Sequence, residues 1–288
     1  MAPDSDVRYA GYERHTVSDG VELAYRVQGA GPTLAIVNSV LETSTAWRAF
    51  ARRASSRYRV VTYDMRSQGR SSGGEPSYAN HVADIRSLLD ALDAGPTFVM
   101  GHSISTQICV ELALTDPARV RALILVGPMV NASGAERRRR LVEGWCHVIE
   151  TAGTGAMFDI FWPQILCDGS FKKSGPGGYD AYRELWVATT RADWVAAQMR
   201  ASLAEQPSPP TLERVEQPTL LIAGEDDFVG TESALREAAA SLPDPRVVRL
   251  RNVGHVPHLE APREFEQAVD DFADLVLGGA SQRSAESR

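Results

Sequence analysis

The chain has 288 residues, 43% of them apolar, and a formal net charge of −7. This length and composition allow one large domain with a deep core, or one domain that carries an insertion. The acidic balance offers no electrostatic reason to bind nucleic acid or an anionic membrane, so neither is expected as a partner.

Short apolar segments along the chain predict the strands of a buried sheet. Residues 21–27 alternate like a half-exposed strand, whereas the later segments are continuous apolar runs typical of strands buried on both faces. These later strands are predicted at 33–37, 58–63, 97–100, 120–126, 219–223 and 246–250.

Helical spacing of apolar residues appears between these strands. It predicts helices at 78–92 and 108–114, and an amphipathic terminal helix at 262–277. Strands that alternate with helices indicate an α/β fold with a mostly parallel central sheet flanked by helices.

The pattern changes between residues 130 and 216. This segment is helix-rich, is interrupted by glycines at 169–178, and holds many of the aromatic side chains. It predicts a helical cap inserted into a core made of residues 1–129 and 217–277. The polar segment 278–288 is predicted to be a disordered tail.

The segment T-F-V-M-G-H-S-I-S-T-Q (97–107) nearly matches G-x-S-x-G, the strand-to-helix turn that carries a nucleophilic serine. The turn is crowded, so small residues are needed two positions before and two after Ser103. Gly101 meets the first demand and Ser105 meets the second less well. We expect a shifted but intact turn, with the Ser105 hydroxyl as a candidate for binding substrate or water.

Two downstream segments offer partners for Ser103 in the order that such sites require. L-L-I-A-G-E-D-D-F-V (220–229) places Asp226 and Asp227 just after a buried strand, and N-V-G-H-V-P-H-L-E-A-P (252–262) places His255 in a loop after the last strand. A serine hydroxyl needs a base to take its proton, and an imidazole supplies one near neutral pH. His258, three residues on, is expected to be structural.

With these motifs the chain resembles the α/β-hydrolase superfamily, in particular the capped group of 3-oxoadipate enol-lactonases and related esterases. The resemblance covers roughly residues 10–277 and also includes N-S-V-L (38–41) and Y-D-M-R-S-Q-G-R-S (63–71). It implies an α/β-hydrolase fold in which Ser103 is the nucleophile, His255 the base and Asp227 the acid. Asp226 is the second choice for the acid.

The resemblance also implies an oxyanion hole. Its backbone N–H groups would come from Ile104 and, in the loop after the first buried strand, from Val40. Asn38 would brace that loop through side-chain hydrogen bonds. The candidates for substrate binding lie beside the serine, in this loop and in the cap: Asn38, Ser39, His102, Ser105, Trp145, Phe161, Trp162 and Trp186.

Three hypotheses for function remain open at this point. The first is hydrolysis of an ester, lactone or thioester of a largely apolar molecule, with enol-lactone hydrolysis as one option. The second uses the same site for acyl transfer, C–C bond cleavage or cyclisation in natural-product metabolism. The third is a binding protein without turnover, against which the complete serine, histidine and aspartate set argues.

The sequence carries no metal-ligand spacing or nucleotide-binding motif, so no cofactor and no metal are expected. The charged N-terminus lacks the apolar core of a signal peptide, and the three cysteines suggest buried thiols in a reducing compartment. We therefore expect a cytoplasmic, bacterial protein. It would act on a small molecule as a monomer or homodimer.

Overall fold

The computed structural model describes residues 7–130, 135–204 and 209–286. Its centre is an eight-stranded sheet in the order β1-β2-β4-β3-β5-β6-β7-β8. Strand β2 pairs antiparallel with β1 and β4, and all other pairings are parallel. The strands are β1 Glu13–Thr16, β2 Glu22–Gln28, β3 Thr33–Val37, β4 Arg59–Tyr63, β5 Thr97–His102, β6 Val120–Val126, β7 Thr219–Gly224 and β8 Pro245–Leu250.

Helices cover both faces of this sheet, and each face has its own apolar core. Strands β3 and β5 are buried along their whole length, as the continuous apolar runs predicted. The α/β architecture predicted from the sequence is therefore confirmed. The helices are α1 Arg48–Ala54, α2 Tyr78–Ala91, α3 Ser105–Thr115, α4 Ala135–Ile165, α5 Asp168–Thr189, α6 Ala192–Ala204, α7 Glu232–Ser241, α8 Pro257–Glu260 and α9 Pro262–Glu286.

Helices α4, α5 and α6 lie between β6 and β7 in the chain, within the segment assigned to the cap. Their apolar side chains form a third core with Val40, Leu41, Met129 and Val229 from the sheet loops. The predicted interruption at 169–178 is smaller than expected, because α5 runs through it with a kink at Gly175, where φ is 65°. Residues 131–134 and 205–208, near the two predicted boundaries of the cap, lie outside the described residues.

The end of the chain differs from its prediction. Helix α9 continues past residue 277 to Glu286, through most of the segment expected to be a disordered tail. Gly278 and Gly279 have low helix propensity, but they keep the backbone N–H groups that proline lacks, and the Ala, Gln, Arg and Glu residues that follow favour helix. In the described part of the chain, every helix is too short or too polar to cross a lipid bilayer.

Candidate active site

Ser103 occupies the sharp turn between β5 and α3. Its φ of 58° is in the left-handed region, which a non-glycine residue adopts only at an energetic cost. A side chain at Gly101 would place its Cβ 2.5 Å from Cys109 Sγ and 2.8 Å from the Ser105 carbonyl oxygen, so this position requires glycine. The turn is therefore intact despite the serine at position 105.

The turn brings Ser103, His255 and Asp227 into one hydrogen-bonded series. Ser103 Oγ lies 2.8 Å from His255 Nε2, and His255 Nδ1 lies 2.8 Å from Asp227 Oδ2. All three residues are buried. Because the Asp227 carboxylate accepts a hydrogen bond from Nδ1–H, Nε2 carries no proton and is free to accept the proton of the serine hydroxyl.

The Asp227 carboxylate is held by the backbone as well as by His255. Its other oxygen, Oδ1, accepts hydrogen bonds of 2.8 Å from the N–H groups of Val229 and Gly230. Burial raises the pKa of Asp227. The charge interaction and hydrogen bond with His255, together with the backbone donors, lower it by more than burial raises it, so the pKa lies below its ordinary value. Asp226 is exposed and does not take this place.

Two glycines that the sequence analysis did not single out allow this close packing. A Cβ at Gly127, where φ is 53°, would lie 2.9 Å from Cε1 and 3.0 Å from Nδ1 of His255. A Cβ at Gly230 would lie 2.9 Å from Asp227 Oδ2. Both positions leave space only for a hydrogen atom beside the imidazole and the carboxylate.

A narrow cavity lies next to Ser103. Within the described part of the chain its walls carry no lysine or arginine side chain, and Met129 Sδ lies 3.2 Å from Ser103 Oγ. Such a surface suits a neutral, apolar group. The lining residues are Ser39, Val40, Leu41, Ser103, Ile104, Met129, Val142, Trp145, Phe161, Met199, Val229 and His255.

The structure brings part of the predicted binding set to this cavity. Ser39, Val40, Ile104, Trp145 and Phe161 line it, and the rings of Trp145 and Phe161 meet edge to face with centroids 4.8 Å apart. The sequence missed the aliphatic and sulfur-containing part of the wall. Those residues come from four separate segments, and none of them was predicted to bind substrate: Met129, Val142, Met199 and Val229.

Asn38 and Ser105 lie outside this wall, contrary to their assignment as substrate-binding residues. Asn38 is fully buried, and its amide donates to the Tyr63 carbonyl at 2.6 Å and to Gln68 Oε1 at 3.0 Å. The buried Ser105 hydroxyl donates to the Asn38 carbonyl. Ser105 therefore fastens the start of the Ser39–Val40 loop to the turn at Ser103, and the Asn38 amide N–H groups tie the same loop to the end of β4 and to Gln68.

Two cap tryptophans are also placed differently from the prediction. Trp162 lies in the cap core against Phe158 and Tyr182, and Trp186 donates from its indole N–H to the Leu41 carbonyl at 3.0 Å. Trp186 lines a larger neighbouring cavity, which shares Val40 and Leu41 with the cavity at Ser103.

His102 faces away from the cavity toward a buried polar cluster that includes Glu42 and His258. Its Nδ1 lies 2.9 Å from Glu42 Oε2, and its Nε2 lies 2.7 Å from the His255 carbonyl oxygen. His258 stacks on Trp47 with centroids 3.8 Å apart, and its Nε2 lies 3.4 Å from Glu42 Oε1. His258 is thus structural, as expected. Glu42 was not predicted from the sequence, because no recognised motif contains it.

This cluster is the one place among the described residues where three potential metal ligands converge, with their ligand atoms within 4.8 Å of one another. Two ligands of a tetrahedral zinc ion lie about 3.3 Å apart, since each is about 2.0 Å from the metal. The 2.9 Å between Glu42 and His102 is a hydrogen-bond distance and leaves no space for an ion between these two atoms.

Comparisons with known proteins agree with the fold. The family model described as "Alpha/beta hydrolase family" matches residues 29–268. A hydrolase from Pseudomonas aeruginosa PA01 has a similar structure, with a TM-score of 0.80, 29% sequence identity, and coverage of 91% of this chain and 98% of that one.

Two other proteins are similar to this chain, one in fold and one in sequence over a small part of its length. The enol-lactonase from Burkholderia xenovorans LB400 has a TM-score of 0.77 at 23% identity over 91% of this chain and 99% of that one, a likeness that shows the fold. The polyketide synthase ThaQ of Burkholderia thailandensis is 28% identical over 272 residues. That match takes in 89% of this chain but only 12% of the much longer relative.

Proposed function

The chain belongs to the α/β-hydrolase family, and from this premise we propose that it is a serine hydrolase. Its substrate would be a carboxylic ester, lactone or thioester of a largely apolar small molecule, cleaved through an acyl-enzyme on Ser103. The observation that carries the proposal is the pair of 2.8 Å contacts that joins Ser103, His255 and Asp227 beside an apolar cavity.

In the proposed reaction, Ser103 Oγ attacks the acyl carbonyl while His255 Nε2 takes its proton. Asp227 holds the imidazole in the tautomer that accepts this proton and stabilises the imidazolium that forms. The carbonyl oxygen becomes negative and is stabilised by the backbone N–H groups of Val40 and Ile104.

The tetrahedral intermediate then collapses, and the leaving group departs with the proton that His255 held. A water molecule, activated by the same imidazole, attacks the acyl-enzyme and releases the acid. Each proton therefore passes through His255 Nε2, and the enzyme returns to its starting state.

The cavity wall favours a neutral acyl group. Two cap cations are engaged elsewhere: Arg183 pairs with Asp159, and Lys173 donates to the Glu260 carbonyl. A carboxylate carried on the acyl chain would be desolvated against apolar side chains without a partner. We therefore expect neutral aliphatic or aryl acyl esters to be cleaved in preference to acyl groups that carry a charge.

The test is covalent labelling with an alkyl fluorophosphonate, read by intact mass. We expect one adduct on the wild-type protein and no adduct on Ser103→Ala. Ser39→Ala is the matched control, because it removes the other serine of the cavity wall and is expected to keep the adduct. Turnover of a short-chain aryl ester should fall at least about 10³-fold in Ser103→Ala.

Failure of the folded wild-type protein to react would contradict an activated serine and favour a binding protein. A label on Ser103→Ala would contradict the assignment of the nucleophile. Either result is independent of the choice of substrate.

The similarity to a polyketide synthase favours a second candidate, in which the same acyl-enzyme is released by cyclisation or by transfer to an acceptor other than water. A hydroxyacyl thioester separates the two. Hydrolysis yields the free hydroxy acid, whereas cyclisation yields the lactone.

A further inference from the structure

Behind the imidazole of His255 lies a second imidazole, that of His102, with ring centroids 5.1 Å apart. His102 is the last residue of β5, and it contacts the Glu42 carboxylate on one side and the backbone carbonyl of His255 on the other. His102 and Glu42 are both buried, and neither lines the cavity at Ser103, whereas Glu42 lines the larger neighbouring cavity.

The partners of His102 determine its protonation. Nδ1 faces a carboxylate oxygen at 2.9 Å and Nε2 faces a carbonyl oxygen at 2.7 Å, and both of these groups accept hydrogen bonds. Beside an ionised Glu42, a neutral imidazole, which donates from one nitrogen only, would leave two acceptor atoms facing each other on the other side. Two donated hydrogen bonds require the imidazolium form, and the Glu42 carboxylate balances its charge.

The surrounding charges agree with this assignment. Burial lowers the pKa of His102, but the charge and hydrogen bond of Glu42, the His255 carbonyl and the Asp227 charge raise it above its ordinary value. Burial raises the pKa of Glu42, and the neighbouring histidines hold it well below its ordinary range. Burial lowers the pKa of His258, which faces Glu42 from α8.

We propose that Glu42 and His102 form a buried ion pair that positions His255 through its backbone carbonyl and so aligns the imidazole with Ser103. The inference rests on the proposed serine hydrolase function. The hydrogen bond from His102 ties the loop after β8 to the end of β5, two elements that meet beside the nucleophile.

A direct test of the charge state is NMR of the protein labelled with ¹⁵N-histidine at neutral pH, with His102 assigned by the signal lost in His102→Gln. Two protonated nitrogens are expected. A pattern of one protonated and one unprotonated nitrogen would overturn the ion pair, whatever the activity.

A kinetic test separates positioning from mere packing. His102→Phe keeps an aromatic ring but removes both hydrogen-bond donors. We expect kcat for an aryl ester to fall about 10²-fold with KM nearly unchanged, because a small misplacement of a catalytic group can lower the rate by about this factor. His102→Gln places an amide donor near the position of Nε2 and should recover at least about 10-fold of that loss. Circular dichroism and thermal unfolding verify that both variants are folded.

Equal kcat values for His102→Phe and His102→Gln, or a loss confined to KM, would overturn the positioning role. Glu42→Gln keeps the proposal testable if His102→Phe does not fold. Its amide donates to Nδ1 while Nε2–H still bonds the His255 carbonyl, so kcat should stay within about 10-fold of wild type, whereas Glu42→Ala should lose more. Absent fluorophosphonate labelling of the wild type would instead remove the proposed function itself.

Discussion

Replacement of Ser105 by alanine tests how the turn tolerates a serine where the motif has glycine. The Ser105 side chain is fully buried, and its hydroxyl donates to the Asn38 carbonyl, which belongs to the loop that carries Val40. Alanine keeps the volume of the Cβ and removes only the donor, so the change isolates this one hydrogen bond.

The expected magnitude follows from the contacts. A buried carbonyl left without its donor costs about 1–3 kcal/mol, so the free energy of unfolding should fall by that amount. The loop would also be held less firmly, which affects the Val40 N–H. The loss in kcat should stay below the 10²–10³-fold that complete removal of one oxyanion donor causes in other enzymes.

The assay is urea unfolding followed by fluorescence, together with steady-state hydrolysis of an aryl ester. Ser233→Ala, at an exposed serine in the first turn of α7, is the control and should change the free energy of unfolding by less than about 0.5 kcal/mol. If Ser105→Ala were as stable and as active as wild type, the fastening role of this hydroxyl would be refuted.

Three further predictions concern other parts of the molecule. Gly127→Ala should lower kcat/KM for an aryl ester by about 10²-fold, because its Cβ would displace His255; an unchanged value would contradict the packing. Asp227→Asn should lower kcat far more than Asp226→Asn, and the reverse order would reassign the acid. Burial lowers the pKa of His81 to about 4, so between about pH 6.5 and 4 the unfolded chain binds a proton that the native protein lacks. The free energy of unfolding of wild type relative to His81→Gln should therefore fall by about 2 kcal/mol from pH 7 to pH 5, and parallel pH curves would contradict this.

The central strands were predictable because they are buried on both faces, so their apolar runs are continuous. Strand β1 was missed for the opposite reason, since E-R-H-T (13–16) lies at the exposed edge of the sheet and carries no apolar alternation. Helix α1, with R-A-F-A-R-R-A (48–54), is too short for its apolar spacing to be recognised.

The hydrogen-bonded series was predictable because each of its residues sits in a local motif after a strand. The cavity wall was not, since it forms where side chains from separate loops and cap helices meet. The same limit applies to Glu42, which lies in the loop after β3. Its role depends on a contact with His102, which is distant in the sequence. Asn38 was predicted both to brace the loop and to bind substrate, and its hydrogen bonds support the first role.

The central claim is that Ser103 is the nucleophile and that the backbone N–H groups of Val40 and Ile104 hold the oxyanion formed from the substrate carbonyl. The most direct measurement is a crystal structure of the protein after reaction with an alkyl fluorophosphonate. We expect a phosphonyl group bonded to Ser103 Oγ, with one phosphonyl oxygen about 2.7–3.1 Å from the backbone nitrogens of Val40 and Ile104 and the alkyl chain in the apolar cavity. A phosphonyl group on another residue, or an oxygen directed away from both amides, would contradict it.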